Sequence, residues 1–382
     1  MDVDARAVLL RFFGGLTDPR AANRRHLLHD LLILTVLGLL CRCDDFEEIV
    51  AWGHAHELWL RTFLDLPHGI PSPDTFERVF ARLDPAALEA RLGRWTTALQ
   101  QAAGDRLVQV DGKSLRRAFQ TAGRKTLPHL VSAWSQADHL VLAQVATAQK
   151  SNEITAIPEL LALLDLQQAT VSIDAIGCQK KIAQAILDRE GDYLLAVKAN
   201  QRDLHEAVRF FFTEAIAQGW EGLPHVQTQT TDSDHGRLEI RRCWATHQVA
   251  WLKTQDQDWP GLQGLVCVEC DRLVFGGTHS VERRYFITSH DPRQVGAEFL
   301  LEAVRGHWSV ENQLHWCLDV VFREDDSRVR KGHAGENLSR MRRLALHLLR
   351  KLPGPKRASL KTKRLLCSWK PDYLLKALLP LG

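Results

Sequence analysis

Apolar residues recur at helical spacing over Ala7–Phe13, His29–Arg42, Phe46–Leu64, Ser72–Ala81 and Pro85–Ala103, so the first hundred residues predict an all-helical region. Asp18-Pro19, the stretch Pro67–Pro73 and Asp84-Pro85 punctuate it, and Ser72 and Asp84 precede prolines in the manner of N-caps. At Arg106 the period changes. Leu107–Asp111, His129–Ser135 and His139–Thr147 alternate like strands, the last two joined by a turn at Gln136–Asp138. A helix over Glu153–Leu164, a strand over Thr170–Asp174, a helix over Gln179–Arg189 and a strand over Tyr193–Val197 follow. The order β1-β2-β3-α-β4-α-β5 predicts a mixed sheet with helices on its faces. After a helix at Asp203–Gln218 the text turns β-rich, with strands at Gly236–Trp244, Leu265–Leu273 and Val281–Thr288. Helical spacing returns from Gln294 to Arg350, broken near Lys331-Gly332 and ended by Pro353-Gly354-Pro355.

With 382 residues and 45% hydrophobic positions, the chain has room for two or three domains and a sizeable core. The longest apolar run, Leu31–Cys41, falls short of the roughly 20 residues a bilayer demands. The start lacks the order of a signal peptide, and eight irregularly spaced Cys suit reduced thiols. These features predict a cytoplasmic protein with no membrane partner. Charge is uneven: Phe322–Lys370 carries a net +11 in a chain of net +3, leaving −8 elsewhere. A basic block on an acidic body is the footprint of a polyanion partner.

Two acids end apolar strands, Asp111 before Gly112-Lys113 and Asp174 before Ala175-Ile176-Gly177, so both project from one edge of a buried sheet. A shared divalent cation and simple turn capping are the two readings. Further on, His307, Glu311, His315 and Asp319 recur every four residues beside an apolar stripe of Val310, Leu314 and Leu318, flanked by Trp308 and Trp316. The HExxH order of a zinc helix is absent, and Glu311 is better used as a third carboxylate. Cys267 and Cys270 form a lone CxxC inside a strand, which reads as core thiols. Glu324, Asp325 and Asp326 read as a turn ion-paired to Arg323 and Arg328.

Seven co-linear segments then identify a family resemblance. They begin at His26 (His-Leu-Leu-His-Asp-Leu-Leu), Gly69 (Gly-Ile-Pro-Ser-Pro-Asp-Thr-Phe), Val110 (Val-Asp-Gly-Lys-Ser-Leu-Arg), Lys150 (Lys-Ser-Asn-Glu-Ile-Thr-Ala-Ile-Pro), Ile173 (Ile-Asp-Ala-Ile-Gly-Cys-Gln), Gly306 (Gly-His-Trp-Ser-Val-Glu-Asn) and Phe322 (Phe-Arg-Glu-Asp-Asp-Ser-Arg). Over residues 8–376 the chain resembles bacterial insertion-sequence transposases of the DDE type, specifically the H-repeat-associated proteins of Rhs elements. The resemblance implies an α/β fold in which an all-helical N-terminal domain (1–104) precedes an RNase H-like mixed-sheet catalytic core (105–350). A β-rich insertion about 220–292 and a basic C-terminal tail (351–382) complete it.

It also implies a triad of Asp111, Asp174 and Glu311 holding two Mg²⁺ ions, with Mn²⁺ able to substitute, for cleaving and joining double-stranded DNA at element ends and targets. A homodimer on DNA at the bacterial nucleoid follows from joining two ends. Cut-and-paste relatives surround the Glu with Tyr, Arg and Lys, where this chain has Val304, His307 and Leu318. Arg305 is the candidate substitute cation, and Asp319 the alternative third acid. Lys113, Arg116, Lys198, Asn200, Gln201, Arg305, His307, Arg342, Arg343, Lys361, Lys363 and Arg364 are the expected DNA contacts. The alternative function is a decayed transposase that binds DNA without transposing, or a nuclease.

Overall fold

The structure is a computed structural model that describes residues 5–20, 24–100, 106–114, 129–147, 153–234, 236–253, 258–356 and 358–378. Its centre is one nine-stranded sheet. The strands are β1 (Arg106–Ser114), β2 (His129–Ser135), β3 (Leu140–Thr147), β4 (Ala169–Ile173), β5 (Asp192–Val197), β6 (Val226–Asp234), β7 (Arg237–Thr246), β8 (Gly264–Val274) and β9 (His279–Thr288), in spatial order 3-2-1-4-5-9-8-7-6. The first three form an antiparallel meander, and β4 and β5 join β1 in parallel through helical crossovers. This is the RNase H-like arrangement, and the chain has the expected α/β class.

The β-rich insertion continues the same sheet, because β9 pairs antiparallel with β5 from Leu194↔Thr288 to Val197↔Tyr285. Its first strand, β6, escapes the sequence reading: Val226 is followed by eight polar residues, which leaves no alternation to detect.

The helices are α1 (Ala5–Phe13), α2 (Leu28–Leu40), α3 (Phe46–Ala55), α4 (Glu57–Leu60), α5 (Pro73–Arg82), α6 (Pro85–Gln100), α7 (Glu153–Ala162), α8 (Lys180–Leu187), α9 (Arg202–Ala217), α10 (Ala250–Lys253), α11 (Pro292–Ser309), α12 (Trp316–Val320), α13 (Ala334–Lys351), α14 (Leu360–Trp369) and α15 (Pro371–Lys376). Helices α7–α9 bury their apolar stripes on one sheet face, where Val108, Val110, Val171 and Leu195 point. Helix α11 covers the other, against Leu107, Leu194 and Phe286. The Leu31–Cys41 run is the buried helix the sequence implies, and no helix among the described residues is long and apolar enough to cross a membrane.

The C-terminal residues expected as a basic tail are instead packed structure. Cys367, Leu374, Ala377 and Leu378 lie in the same apolar cluster as Leu31, Phe76 and Leu88 of the N-terminal helices and Leu338, Leu344 and Leu348 of α13. Helix α13 is surrounded, with fourteen of its residues buried. A helix enclosed on nearly every side must take its charges inside with it, and this corrects the reading of the basic block at its buried arginines. Arg342 donates to the Asp44 carbonyl at 2.7 Å, and Arg340 and Arg343 both reach Glu89, at 2.9 and 2.6 Å. Arg364 pairs with Asp44 at 2.8 Å and stacks over Phe322. Lys363 donates to the carbonyls of Leu349 and Leu352. Of the five block residues named as DNA contacts, Lys361 alone is exposed.

Candidate functional site

Strand β1 does not end at Asp111 but runs on to Ser114, paired with β2. Val110 is the last β1 residue registered against β4, opposite Ile173, so Asp111 and Asp174 leave the ladder side by side on strands about 4.8 Å apart. Asp174 also caps the turn after β4, its Oδ1 accepting from the Ile176 N–H at 3.0 Å. The turn-capping reading of this acid therefore holds. Asn200 and Gln201 are spent on the same turn: their amides donate to the carbonyls of Ala175 and Cys178, which corrects their reading as free DNA contacts.

A cavity of about 310 Å³ opens over this edge and is lined by Asp111, Asp174, Glu311, His307, Lys198 and Arg284, among others. The three acids, separated by 63 and 137 positions in the chain, all line it. Glu311 arrives on a π-helical segment, Val310–His315, inserted between α11 and α12. Such wide turns concentrate at functional sites because they redirect one side chain without ending the helix.

The polar stripe then runs along the sheet edge. His307 faces Ser172 at 3.4 Å, and His315 sits 3.6 Å from the Asp111 carboxylate. Asp319 ion-pairs with Lys113. Lys113 also reaches Glu324 at 2.9 Å, and Glu324 is buried. This corrects two expectations: Lys113 is committed to an internal ion cluster rather than to phosphates, and Glu324 turns inward to that cluster while Asp326 pairs with Arg323. Arg305, the candidate substitute cation, turns away to Asp232 at 3.1 Å. Arg116 lies outside the described residues.

Burial raises the pKa of Asp111, the nearby Asp174 and Glu153 add to the rise, and His315 and the Gly112 N–H oppose it. Burial lowers the pKa values of His307 and His315 against the pull of those carboxylates. For Lys113, burial disfavours the charge, but Glu324 and Asp319 outweigh it and raise its pKa. Sequence reasoning missed one pair. His129 and Glu153, buried and 3.3 Å apart, lie directly under Gly112.

The donor set of the cavity is carboxylate oxygen, which suits Mg²⁺ or Mn²⁺, and the crowding of Asp111 by like charge is what a cation relieves. Among the described residues no group of three or more His, Cys, Asp or Glu side chains is close enough, as positioned, to hold a metal ion. The three acids line the cavity rather than converge on one point.

Residues 102–348 match the family described as Transposase DDE domain, and residues 10–96 match the one described as DDE_Tnp_1-associated. The chain belongs to the DDE transposase family. It is 46% identical to a Xanthobacter autotrophicus protein from the dhlA 3′ region, over 73% of this chain and 93% of that one. It is 38% identical to "Putative transposase YncI" of Escherichia coli O157:H7, over 90% and 87%. The H repeat-associated protein YhhI of E. coli K12 is 36% identical over 85% of each chain. Among solved structures, a piggyBac transposase in a synaptic complex with hairpin DNA aligns over 97% of this chain and 76% of that one, at 11% identity and a TM-score of 0.39.

Proposed function

We propose that this chain binds the ends of a mobile element as a homodimer and cuts and joins DNA strands with Asp111, Asp174 and Glu311 as its catalytic acids. The observation that carries this reading is the meeting of three sequence-distant carboxylates in one cavity at the edge of an RNase H-like sheet. Asp111 stands on β1, Asp174 on the turn that ends β4 and Glu311 on the π-helical segment, so the first two would hold Mg²⁺ or Mn²⁺ and the third would complete the shell. When bound, a pair of such ions activates the attacking oxygen and steadies the leaving one.

The chain's own residues do the rest. Lys198, exposed at the rim, presents a cation to the scissile phosphate, and Arg284 would reach its neighbours by exchanging Glu282 for phosphate. His307, where relatives carry Arg, is kept neutral by burial, so it positions rather than neutralises. The departures at Val304, His307 and Leu318 are what favour the second reading, a decayed DNA-binding relative or a nuclease.

A supercoiled plasmid carrying the element ends, incubated with Mg²⁺, tests both. Asp111→Asn, Asp174→Asn and Glu311→Gln should each lose cleavage by at least about 10³-fold while still retaining the DNA. Asp319→Asn, whose carboxylate is tied to Lys113, should keep catalysis in whatever protein folds. Cleavage by Asp111→Asn at the wild-type rate would remove the assignment. Cleavage without strand transfer by the wild type would select the second reading.

A further inference from the structure

The front face of the inserted strands carries chemistry that the triad does not use. Arg237 on β7, Arg272 on β8 and Arg284 on β9 line a groove of about 420 Å³ that shares Arg284 and Trp308 with the acid cavity. Arg284 lies over the Trp308 ring at 4.5 Å and pairs at 2.8 Å with Glu282, an acid that shares the groove. The buried Glu239 holds Arg272 at 2.9 Å and Arg237 at 3.7 Å, yet both guanidinium side chains remain 46% exposed. They are oriented cations facing solvent.

Followed outward, the groove ends at the β8–β9 turn, where the chemistry inverts. Val274, on the groove face, and Phe275 are 37% and 64% exposed beside Gly276-Gly277. The turn is not loose. Val274 donates to the Thr278 carbonyl at 3.1 Å, and the Phe275 N–H donates at 2.9 Å to Gly236 in the neighbouring turn. An apolar ring is thus held out into water at the end of an arginine-lined track.

We propose that this arm is a clamp for duplex DNA: its arginines follow the phosphate backbone away from the acids, and the Phe275 tip wedges into a groove and bends the duplex. The inference rests on reading the acid cavity as the place where DNA is processed. Charge complementarity selects the partner, since the track leading to the tip is cationic, and apolar wedges that unstack a base step are a recognised way to bend DNA. Geometry sets the position. Tyr285 lines the acid cavity and His279 begins β9, six residues on, which at about 3.4 Å per residue is roughly 20 Å, or about six base pairs.

The test uses the full chain and a mixed-sequence duplex of about 40 base pairs, far shorter than the ~150 base-pair persistence length, with a donor and an acceptor fluorophore at its ends. Ca²⁺ replaces Mg²⁺ so that nothing is cut. Wild-type protein should raise energy transfer. Phe275→Ser should bind within about 3-fold and leave the duplex straight, while Phe275→Leu restores the bend. Arg237→Gln with Arg272→Gln should weaken binding about 10-fold and lower the salt slope by about 1.8, at unchanged near-UV dichroism.

Equal bending by Phe275→Ser, or no bending by the wild type, overturns the wedge. Loss of self-association without DNA in Phe275→Ser, seen by sedimentation, would make the tip a contact between copies and overturn it too. Asp111→Asn, assayed with Mg²⁺ restored, separates the two readings: it should bend DNA without cutting it, where the wild type cuts. If it cuts, the acid assignment falls while the clamp is still judged on its own signal.

Discussion

Gly112 lies between Asp111 and Lys113 with no room for a side chain. A Cβ there would sit 2.4 Å from His129 Nε2 and 2.5 Å from Glu153 Oε1, both belonging to the buried pair beneath the strand. Gly112→Ala should therefore displace that pair and cost about 1–3 kcal/mol, read as a lower urea midpoint. A midpoint unchanged within error would show that the pair yields freely.

His347 offers a second single-residue test. It is buried, its Nε2 accepts the Val141 N–H at 2.9 Å, and burial followed by the charges of Arg343 and Arg350 pushes its pKa well below 6.5. The unfolded chain takes up that proton below about pH 6.5 while the folded chain refuses it, so stability should fall as pH drops through this range. His347→Gln keeps an acceptor for Val141 and should make urea midpoints between about pH 6.5 and 5 less pH-dependent than in the wild type; an identical pH slope would exclude the assignment. At this scale the sequence discloses the acids, because Asp111 and Asp174 interrupt apolar strands. It does not disclose Glu153 beneath Gly112 or His315 beside Asp111, since those contacts join positions far apart in the chain.

Among elements, the strands from β1 to β5 are legible because alternation and flanking turns mark each one, whereas the π-helical segment that carries Glu311 is not. Four-residue spacing of His307, Glu311, His315 and Asp319 predicts a regular helix. The observed wide turn arises where that stretch meets β1, held at one side by the Trp134 Nε1–Ser309 Oγ bond of 3.2 Å and at the other by Lys113 with Asp319. Glu324 is buried and Lys113 half-buried, and such a pair is costly to break one-sidedly because the survivor's charge is left unpaired. Lys113→Met alone should cost about 3–5 kcal/mol, and adding Glu324→Gln should recover a large part of it. A four-member cycle of urea midpoints reads the coupling. Additive losses would mean that Lys113 holds α12 without Glu324.

At the scale of the whole molecule, a count of charges along the chain does not reveal which side of a helix meets protein. Within the +11 of Phe322–Lys370, four arginines (Arg340, Arg342, Arg343 and Arg364) are spent inside, where the acids that pair with Arg340, Arg343 and Arg364 come from the other end of the sequence. Glu89 of α6 is the joint. It accepts from Arg340 and Arg343 of α13 and, at 2.8 Å, from the Gln144 N–H of β3, so one carboxylate binds the N-terminal helices, the C-terminal helix and the edge of the sheet. Glu89→Gln strands two buried guanidinium groups and should cost about 3–5 kcal/mol. Since the N-terminal helices and α13–α15 share one apolar cluster, that loss should lower a single transition seen alike by far-UV dichroism and tryptophan fluorescence. Two separated transitions would mean that the terminal helices and the sheet unfold independently. A cost below about 1 kcal/mol would mean that the guanidinium groups find water once Glu89 is gone. Replacing Lys361 alone, the exposed member of the five, should shift the salt slope of DNA binding by no more than about 0.9.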